Sequence, residues 1–427
     1  MNFLFSKHFM PLFITQYLGA FNDNFLKNAI LIMATFQLCK DSTQAGFIAN
    51  FAAGCFILPY VLFSSLAGQV SDKFDKAKVA RVVKLIEIIL MIGAAIGFYF
   101  ASIPVLLAFL FLMGAQSTFF GPVKYSLLPI HLQSNELLKG NAVIGGGTYL
   151  AILTGVIAGG ITVSIKNGIY YSGAVLFILA VLGYLASVKI PAAPPLDKDV
   201  KISWNLGKEI FNIVKYDIVQ QKCVFCCVLS ASMFWLAGSI LVTQLPLYTR
   251  DVLGGNEFVC TLFFALFSIG VGVGAMLSTV LHKGKTCCSK YVVMAIVFMA
   301  IGVAFLAVIS LFANKQTEVL PLLKIYDNKL FITSVIAVLL IAICGGLWSV
   351  PIQALMQKSS KKKVLARVIA GNNIFGSFYM VMGAVISGLI LKLNLTLGGV
   401  FVFTSICILA SLIHIRVFFR KKNTRIK

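Results

Sequence analysis

The chain has 427 residues and carries 36 Lys+Arg against 14 Asp+Glu, a formal net charge of +22, with 59% hydrophobic and only 12% charged residues. Soluble domains run near half apolar and a quarter charged, and a chain that stays solvated as a coil is far more polar, so both classes are excluded. A mean hydropathy of +0.95 leaves a polytopic membrane protein.

A helix crosses roughly 30 Å of hydrocarbon with about 20 mostly apolar residues. Twelve such runs follow one another: Phe9–Leu38, Ala45–Val70, Val79–Ala101, Val105–Leu128, Asn141–Ile165, Ile169–Ile190, Cys223–Tyr248, Phe258–Leu281, Tyr291–Ala313, Leu330–Met356, Val364–Leu391 and Leu395–Val417. They do not alternate in polarity as barrel strands do, so the expected fold class is an all-α membrane protein. The first run is interrupted by Asn22, Asp23, Asn24 and Lys27 and is longer than the apolar core of a cleavable signal. With the N-terminus placed in the cytoplasm, the inner segments hold 28 Lys+Arg and the outer segments seven, Lys27 lying within the first span. This asymmetry sets the orientation, with both termini cytoplasmic. It also accounts for the net charge without a nucleic-acid partner, and it favours an anionic inner leaflet.

Charges within spans need a reason, since each costs roughly 2.5–3.5 kcal/mol at the bilayer centre on insertion scales. Asp23 lies 14 residues into the first span, about 21 Å along a helix and hence near the midplane. Lys27 follows one turn on, so an i,i+4 pair with Asp23 is sterically available. Between spans 2 and 3 runs Gly68-Gln-Val-Ser-Asp72-Lys73-Phe-Asp75-Lys76-Ala-Lys78. It resembles the signature of the major facilitator superfamily, with Asp75 in place of the second glycine. That resemblance implies a gating role for Asp72 and Lys73, Asp72 docking on the start of span 11, where a helix N-terminus attracts an anion. Glu87 in span 3 sits one turn from Lys84, as an internal structural pair would. Lys124 follows Gly121-Pro122 in the inner third of span 4; it either snorkels to the surface or offers an ammonium to a phosphate or carboxylate.

The stretch 191–222 begins Pro191-Ala-Ala-Pro-Pro195, alternates charge at Asp197, Lys198, Asp199 and Lys201, and then spaces Trp204, Gly207, Ile210, Phe211, Val214 and Ile218 as a helix would. An amphipathic helix on the inner membrane surface is predicted. It divides the chain into a first bundle (1–190), the linker (191–222), a second bundle (223–418) and a basic tail (419–427). The halves echo each other. Gly114…Gly121-Pro122-Val-Lys124 is answered by Gly345-Gly346…Val350-Pro351-Ile-Gln353, the prolines 229 residues apart, and Gly140-Asn141 by Gly371-Asn372, the asparagines 231 apart. Two related six-helix bundles with a site between them is a secondary-transporter architecture. The glycines of spans 5 and 8 let helix backbones approach closely.

Enzyme-like strings do not hold up. His131-Leu-Gln-Ser-Asn-Glu136 lacks the aspartate of the acyltransferase pair. Gly284-Lys285-Thr286 lacks the first P-loop glycine and a preceding strand. The ten cysteines are mostly scattered within spans, with clusters only at Cys223/Cys226/Cys227 and Cys287/Cys288, a weak zinc signal. No enzyme activity, metal or cofactor is expected.

Taken together, Gln16-x3-Ala20-Phe21-Asn22-Asp23-Asn24, Gly121-Pro122-Val-Lys124-Tyr125-x-Leu-Leu-Pro129, Glu136-Leu-x2-Gly140-Asn141-Ala142, Thr148-Tyr149, Phe234-Trp235 and Pro351-Ile-Gln353-Ala-Leu-x-Gln357 resemble the bacterial lysophospholipid transporter family of the major facilitator superfamily. The likeness runs along nearly the whole chain. It implies a twelve-helix transporter of the bacterial inner membrane that flips lysophospholipids, chiefly lysophosphatidylethanolamine, from outer to inner leaflet for reacylation. The implied partners are the lipid substrate, membrane lipids and a separate cytoplasmic acyltransferase and acyl-carrier-protein synthetase, those domains being fused to the transporter in some bacteria; a monomer is expected. The family's embedded acid and lysine match Asp23 and Lys124. A span-7 arginine of some members falls near Val242. A zwitterionic head group offers an ammonium to Asp23 and a phosphate to Lys124, with Gln16, Asn22, Asn24, Tyr125, Asn141, Gln353 and Asn372 as further polar lining. No obligatory proton site stands out, so weak dependence on a proton gradient is expected. The competing readings are a proton-coupled exporter of an amphipathic metabolite or drug, with Asp23 as the proton site, and a non-transporting scaffold for an acylating enzyme.

Overall fold

A computed structural model describes residues 4–33, 42–195, 202–283, 290–312, 329–393 and 396–423. Their secondary structure is helical: α1 Met10–Ile32, α2 Ser42–Lys73, α3 Lys76–Tyr99, α4 Ile103–His131, α5 Leu137–Ser164, α6 Gly168–Val188, α7 Leu206–Asn212, α8 Lys222–Leu247, α9 Glu257–Leu281, α10 Lys290–Phe312, α11 Lys329–Ser359, α12 Leu365–Lys392 and α13 Leu397–Asn423. Apart from α7, each falls on one predicted span. Nine helices among the described residues are long and apolar enough to cross a membrane, and Leu397–Ile413 adds a shorter apolar stretch. The charge alternation at 197–201, the Gly284-Lys285-Thr286 string and Cys287/Cys288 lie outside the described residues.

Helix ends depart from the apolar runs where polar groups can satisfy a terminus. α2 carries on through Ser71, Asp72 and Lys73. α3 starts early because Asp75 caps it: its carboxylate accepts from Lys78 N at 3.0 Å and, through Oδ2, from Ala193 N at 3.1 Å. The residue that departs from the superfamily signature thus serves as an N-cap and ties the linker's start to the α2–α3 turn. Replacing Asp75 with Ala is expected to lower stability by about 1 kcal/mol, the usual cost of a lost cap. Asp75→Asn, which keeps an acceptor, should lower it less; denaturation midpoints of the purified protein in detergent check both.

The chain divides into two compact units. The first holds Met1–Gly140, Gly147–Gln220 and Ser360–Ile374; the second holds Asn141–Gly146, Gln221–Ser359 and Phe375–Lys427. The linker helix therefore belongs to the first unit, as do the opening turns of α12, which the expected boundaries put elsewhere. Within the first unit α4 packs against α1, α2 and α3, and α6 against α1 and α3. Within the second, α11 packs against α8, α9 and α10, and α13 against α8 and α10. With α7 set aside, the same pairs recur six spans later, as an internal duplication requires. The echoed glycines do the same job in each copy. A Cβ on Gly114 of α4 would strike the Phe56 carbonyl of α2, and one on Gly346 of α11 would strike the Val271 carbonyl of α9.

α7 is capped by Asn205, whose side chain accepts from Lys208 N at 3.1 Å, and it continues as a π-helix over Ile213–Val219. Its buried face differs from the α-helical expectation. Ile213 and Ile218 are 1% and 0% exposed, whereas Trp204 and Phe211 are 79% and 58% exposed. The wider π turn explains the change, since it brings residues five apart onto one side.

Candidate functional site

Among the described residues, the buried carboxylates and amines (Asp23, Asp72, Lys76, Lys84 and Glu87) all belong to the first unit. Three helices, α1, α3 and α4, supply the central cluster. Glu87 of α3 is fully buried and accepts from Lys84 Nζ at 2.5 Å, Asn22 Nδ2 at 3.0 Å and Gln116 Nε2 at 3.0 Å. Lys84 Nζ also lies 5.0 Å from the Phe120 ring. This is the internal pair read from the sequence, with hydrogen bonds from α1 and α4 completing the carboxylate. A buried ion pair is tolerated on those terms, because its partners replace lost hydration.

Asp23 is 8% exposed, and its carboxylate faces α4. The Ser117 hydroxyl sits 2.8 and 3.0 Å from the two carboxylate oxygens and 3.1 Å from Gln116 Oε1. Gln116 donates onward to Glu87, so neighbouring α4 side chains, Ser117 and Gln116, serve Asp23 and the Lys84–Glu87 pair. The i,i+4 contact between Asp23 and Lys27 is not made. Lys27 Nζ instead donates to Asn24 Oδ1 at 3.3 Å and lies 5.8 Å from the Phe56 ring, because Asp23 turns towards α4 while Lys27 leans on α2. Lys124 is half-buried, with Nζ 5.0 Å from the ring of neighbouring Tyr125. It makes no direct ion pair with Asp23, yet the two interact electrostatically. Asp23 and Lys124 are thus opposite charges in one unit, and neither is neutralised by direct contact.

The remaining polar residues separate into groups. Gln16 accepts from Thr148 Oγ1 at 2.9 Å and leaves its buried Nε2 without a partner. Asn22 is fully buried and engaged with Glu87 and the Leu176 carbonyl. Asn24 Nδ2 donates back to the Ala20 carbonyl at 2.8 Å. Asn141 belongs to the second unit and forms a reciprocal amide pair with Gln357, at 2.8 and 3.0 Å; Gln353 lies one turn before Gln357, half-buried. Asn372, at the start of α12 in the first unit, is buried with Oδ1 unpartnered. Ser117, Gln116, Thr148 and Gln357 were missed by sequence reasoning. Uncharged polar residues are common in spans, and only Thr148 and Gln357, as parts of the family motifs, carried any signal.

At the end of α2, Asp72 is fully buried. Its Oδ1 accepts from Ala366 N at 3.3 Å and its Oδ2 from Arg367 Nε at 3.1 Å, which places the carboxylate at the first turn of α12. Arg367 is shared: Nη1 lies 3.8 Å from Asp217 Oδ2 of the linker π-helix. Burial pushes the Asp217 carboxyl above its usual range, opposed by Arg367, with Glu209 adding to the rise and Lys361 to the opposition. Lys73 Nζ lies 5.9 Å from the Phe74 ring.

The sequence profile described as Major Facilitator Superfamily matches residues 9–377. The chain belongs to that superfamily. Among curated relatives, it is 28% identical over 411 residues to the lysophospholipid transporter LplT of Cronobacter sakazakii, covering 93% of this chain and 92% of the relative. It is 28% identical over 379 residues to LplT of Escherichia fergusonii, covering 87% and 85%. Among solved structures, the human organic anion transporter MFSD10 (TETRAN) superposes with a TM-score of 0.75 at 11% identity, covering 96% of this chain and 98% of that one. FucP in its outward conformation gives 0.69 at 13% identity over 96% and 98%. The structural likenesses show the shared superfamily fold. With nine membrane-crossing helices among the described residues, this superfamily member is a multi-pass membrane protein.

Proposed function

We propose that this chain transports lysophospholipids, chiefly lysophosphatidylethanolamine, from the outer to the inner leaflet of a bacterial inner membrane. The observation that carries the reading is the pair of opposite charges in the first unit. Asp23 is held by the Ser117 hydroxyl and Lys124 stands against an aromatic ring, each without a direct ionic partner. The curated relatives named as lysophospholipid transporters support the same substrate class.

An ammonium approaching Asp23 and a phosphate approaching Lys124 would each form a charge-assisted hydrogen bond, which is shorter and stronger than a neutral one. Ser117 fixes the carboxylate in advance, so little ordering remains when the head group arrives. The acyl chain need not enter a polar site at all. Each buried methylene contributes about 0.8 kcal/mol, so a lipid with one tail leaves the bilayer far more readily than one with two. The product would be reacylated by a separate cytoplasmic acyltransferase. Uptake of head-group-labelled lysophosphatidylethanolamine into spheroplasts lacking their own transporter, with and without this chain, tests the reading; absence of chain-dependent uptake by folded protein would overturn it.

Asp72 is assigned a gating role on its contacts with Ala366 N and Arg367. Asp72→Asn is expected to slow uptake several-fold, while binding of the same lipid to detergent-purified protein changes little. Equal losses in rate and binding would place Asp72 elsewhere in the mechanism. A second reading, proton-coupled export of an amphipathic molecule, draws on the same Asp23, since a carboxylate held by a hydroxyl alone can carry a proton. Uptake that persists with an uncoupler at constant ATP favours the lysolipid reading, and uncoupler-sensitive efflux favours the other.

A further inference from the structure

The linker helix has two unlike faces. Inward, Ile213 and Ile218 close on Gly371 of α12, where any Cβ would collide with both side chains; glycine there lets the two isoleucines seat against the α12 backbone. Outward, Phe211, Tyr216 and Val219 are 58%, 50% and 42% exposed, and Trp204 just before the helix is 79% exposed. Lysines are interleaved with these aromatics. Lys208 and Lys215 are both exposed, and Lys215 Nζ lies 5.3 Å from the Phe211 ring and 5.2 Å from the Tyr216 ring. Amines set among half-sunk aromatic rings match a phospholipid surface: rings seat at the head-group level and amines meet anionic phosphates. The positive-inside asymmetry puts this segment on the cytoplasmic side, where anionic lipids attract basic groups.

The same helix reaches the Asp72 contact. Asp217 lies within 3.8 Å of Arg367, which also serves Asp72 at 3.1 Å. Whatever holds the helix down therefore also holds the second carboxylate of Arg367 in place. We propose that the Lys208/Phe211/Lys215/Tyr216 face binds anionic phospholipid of the cytoplasmic leaflet, and that this anchoring steadies the Asp72–Arg367 contact through Asp217. The bilayer's anionic lipid then acts as a regulatory ligand at a site separate from Asp23 and Lys124.

The test uses the purified full chain in phosphatidylethanolamine vesicles with or without phosphatidylglycerol, and neither readout involves substrate. Quenching of Trp204 by head-group nitroxide lipid, taken as the difference from Trp204→Phe, reports the surface. Hydrogen exchange of the peptide spanning 360–374 reports the contact at Ala366 and Arg367. Phosphatidylglycerol is expected to increase the quenching and to slow that exchange several-fold. Each lysine replaced in Lys208→Gln and Lys215→Gln should weaken the preference for the anionic surface by about fivefold, while Lys208→Arg with Lys215→Arg retains it. Asp217→Asn should keep the quenching and lose the lipid effect on exchange. Equal quenching in both lipids overturns the surface, and a lipid effect on quenching with unchanged exchange overturns its coupling to Asp72.

Discussion

Uptake of lysophosphatidylethanolamine is expected to fall on the order of ten- to a hundredfold when Lys124 is replaced by Ala, and by a similar factor for Asp23→Asn. The size follows from the interaction removed, since a hydrogen bond to a charged group contributes roughly 1.5–3 kcal/mol. Asp23→Asn preserves volume and can still meet Ser117, so its loss would report charge rather than packing. Lys124→Arg should retain much of the activity, because an arginine also serves a phosphate. Head-group scanning separates the two ends. A lysolipid without an ammonium should become insensitive to Asp23→Asn while remaining sensitive to Lys124→Ala. Wild-type uptake by both variants at normal expression would remove these residues from the site and leave the transport reading to stand on its relatives alone.

The second large effect concerns stability. Glu87→Ala leaves the Lys84 ammonium, 1% exposed, without its counter-charge and strips acceptors from Asn22 and Gln116. Breaking a buried pair from one side costs about 3–5 kcal/mol, enough to unfold many proteins of ordinary stability. Glu87→Gln should cost less, since it keeps an acceptor for the amides. The double change Lys84→Met with Glu87→Leu is expected to recover much of the loss, because apolar residues of similar volume substitute well for a buried pair. Thermal denaturation in detergent would rank the variants, and a double variant no more stable than Glu87→Ala would show the pair to be needed for more than mutual neutralisation.

What the sequence made legible was whatever is rare in a membrane span. Asp23, Glu87 and Lys84 stood out because charge in an apolar run demands a partner, and the Lys84–Glu87 contact followed from helical spacing. Asp72 was found through a motif, and its carboxylate meets the first turn of α12. Partners contributed by distant helices were not legible. Gln357 lies 216 positions from Asn141 and Ser117 lies 94 from Asp23, with no local pattern to join either pair. Helical spacing left an Asp23–Lys27 pair open without choosing it, and Phe56 and Asn24 draw Lys27 away. The linker was recognised as a helix, but its buried face was not, since an α-helical period cannot foresee the π turn that aligns Ile213 with Ile218.

The arrangement around Glu87 bears on how the protein is made. α3 leaves the ribosome with Lys84 and Glu87 embedded in an otherwise apolar run. Asn22 has already been synthesised by then, whereas Gln116 follows Glu87 by 29 residues. At bacterial elongation rates that interval lasts roughly one to six seconds. During it the nascent α3 carries a carboxylate short of one donor, at a depth where unsatisfied polar groups cost several kcal/mol. The pairing of α4 with α3 is therefore expected to complete the insertion of α3, Gln116 bringing the last donor to Glu87.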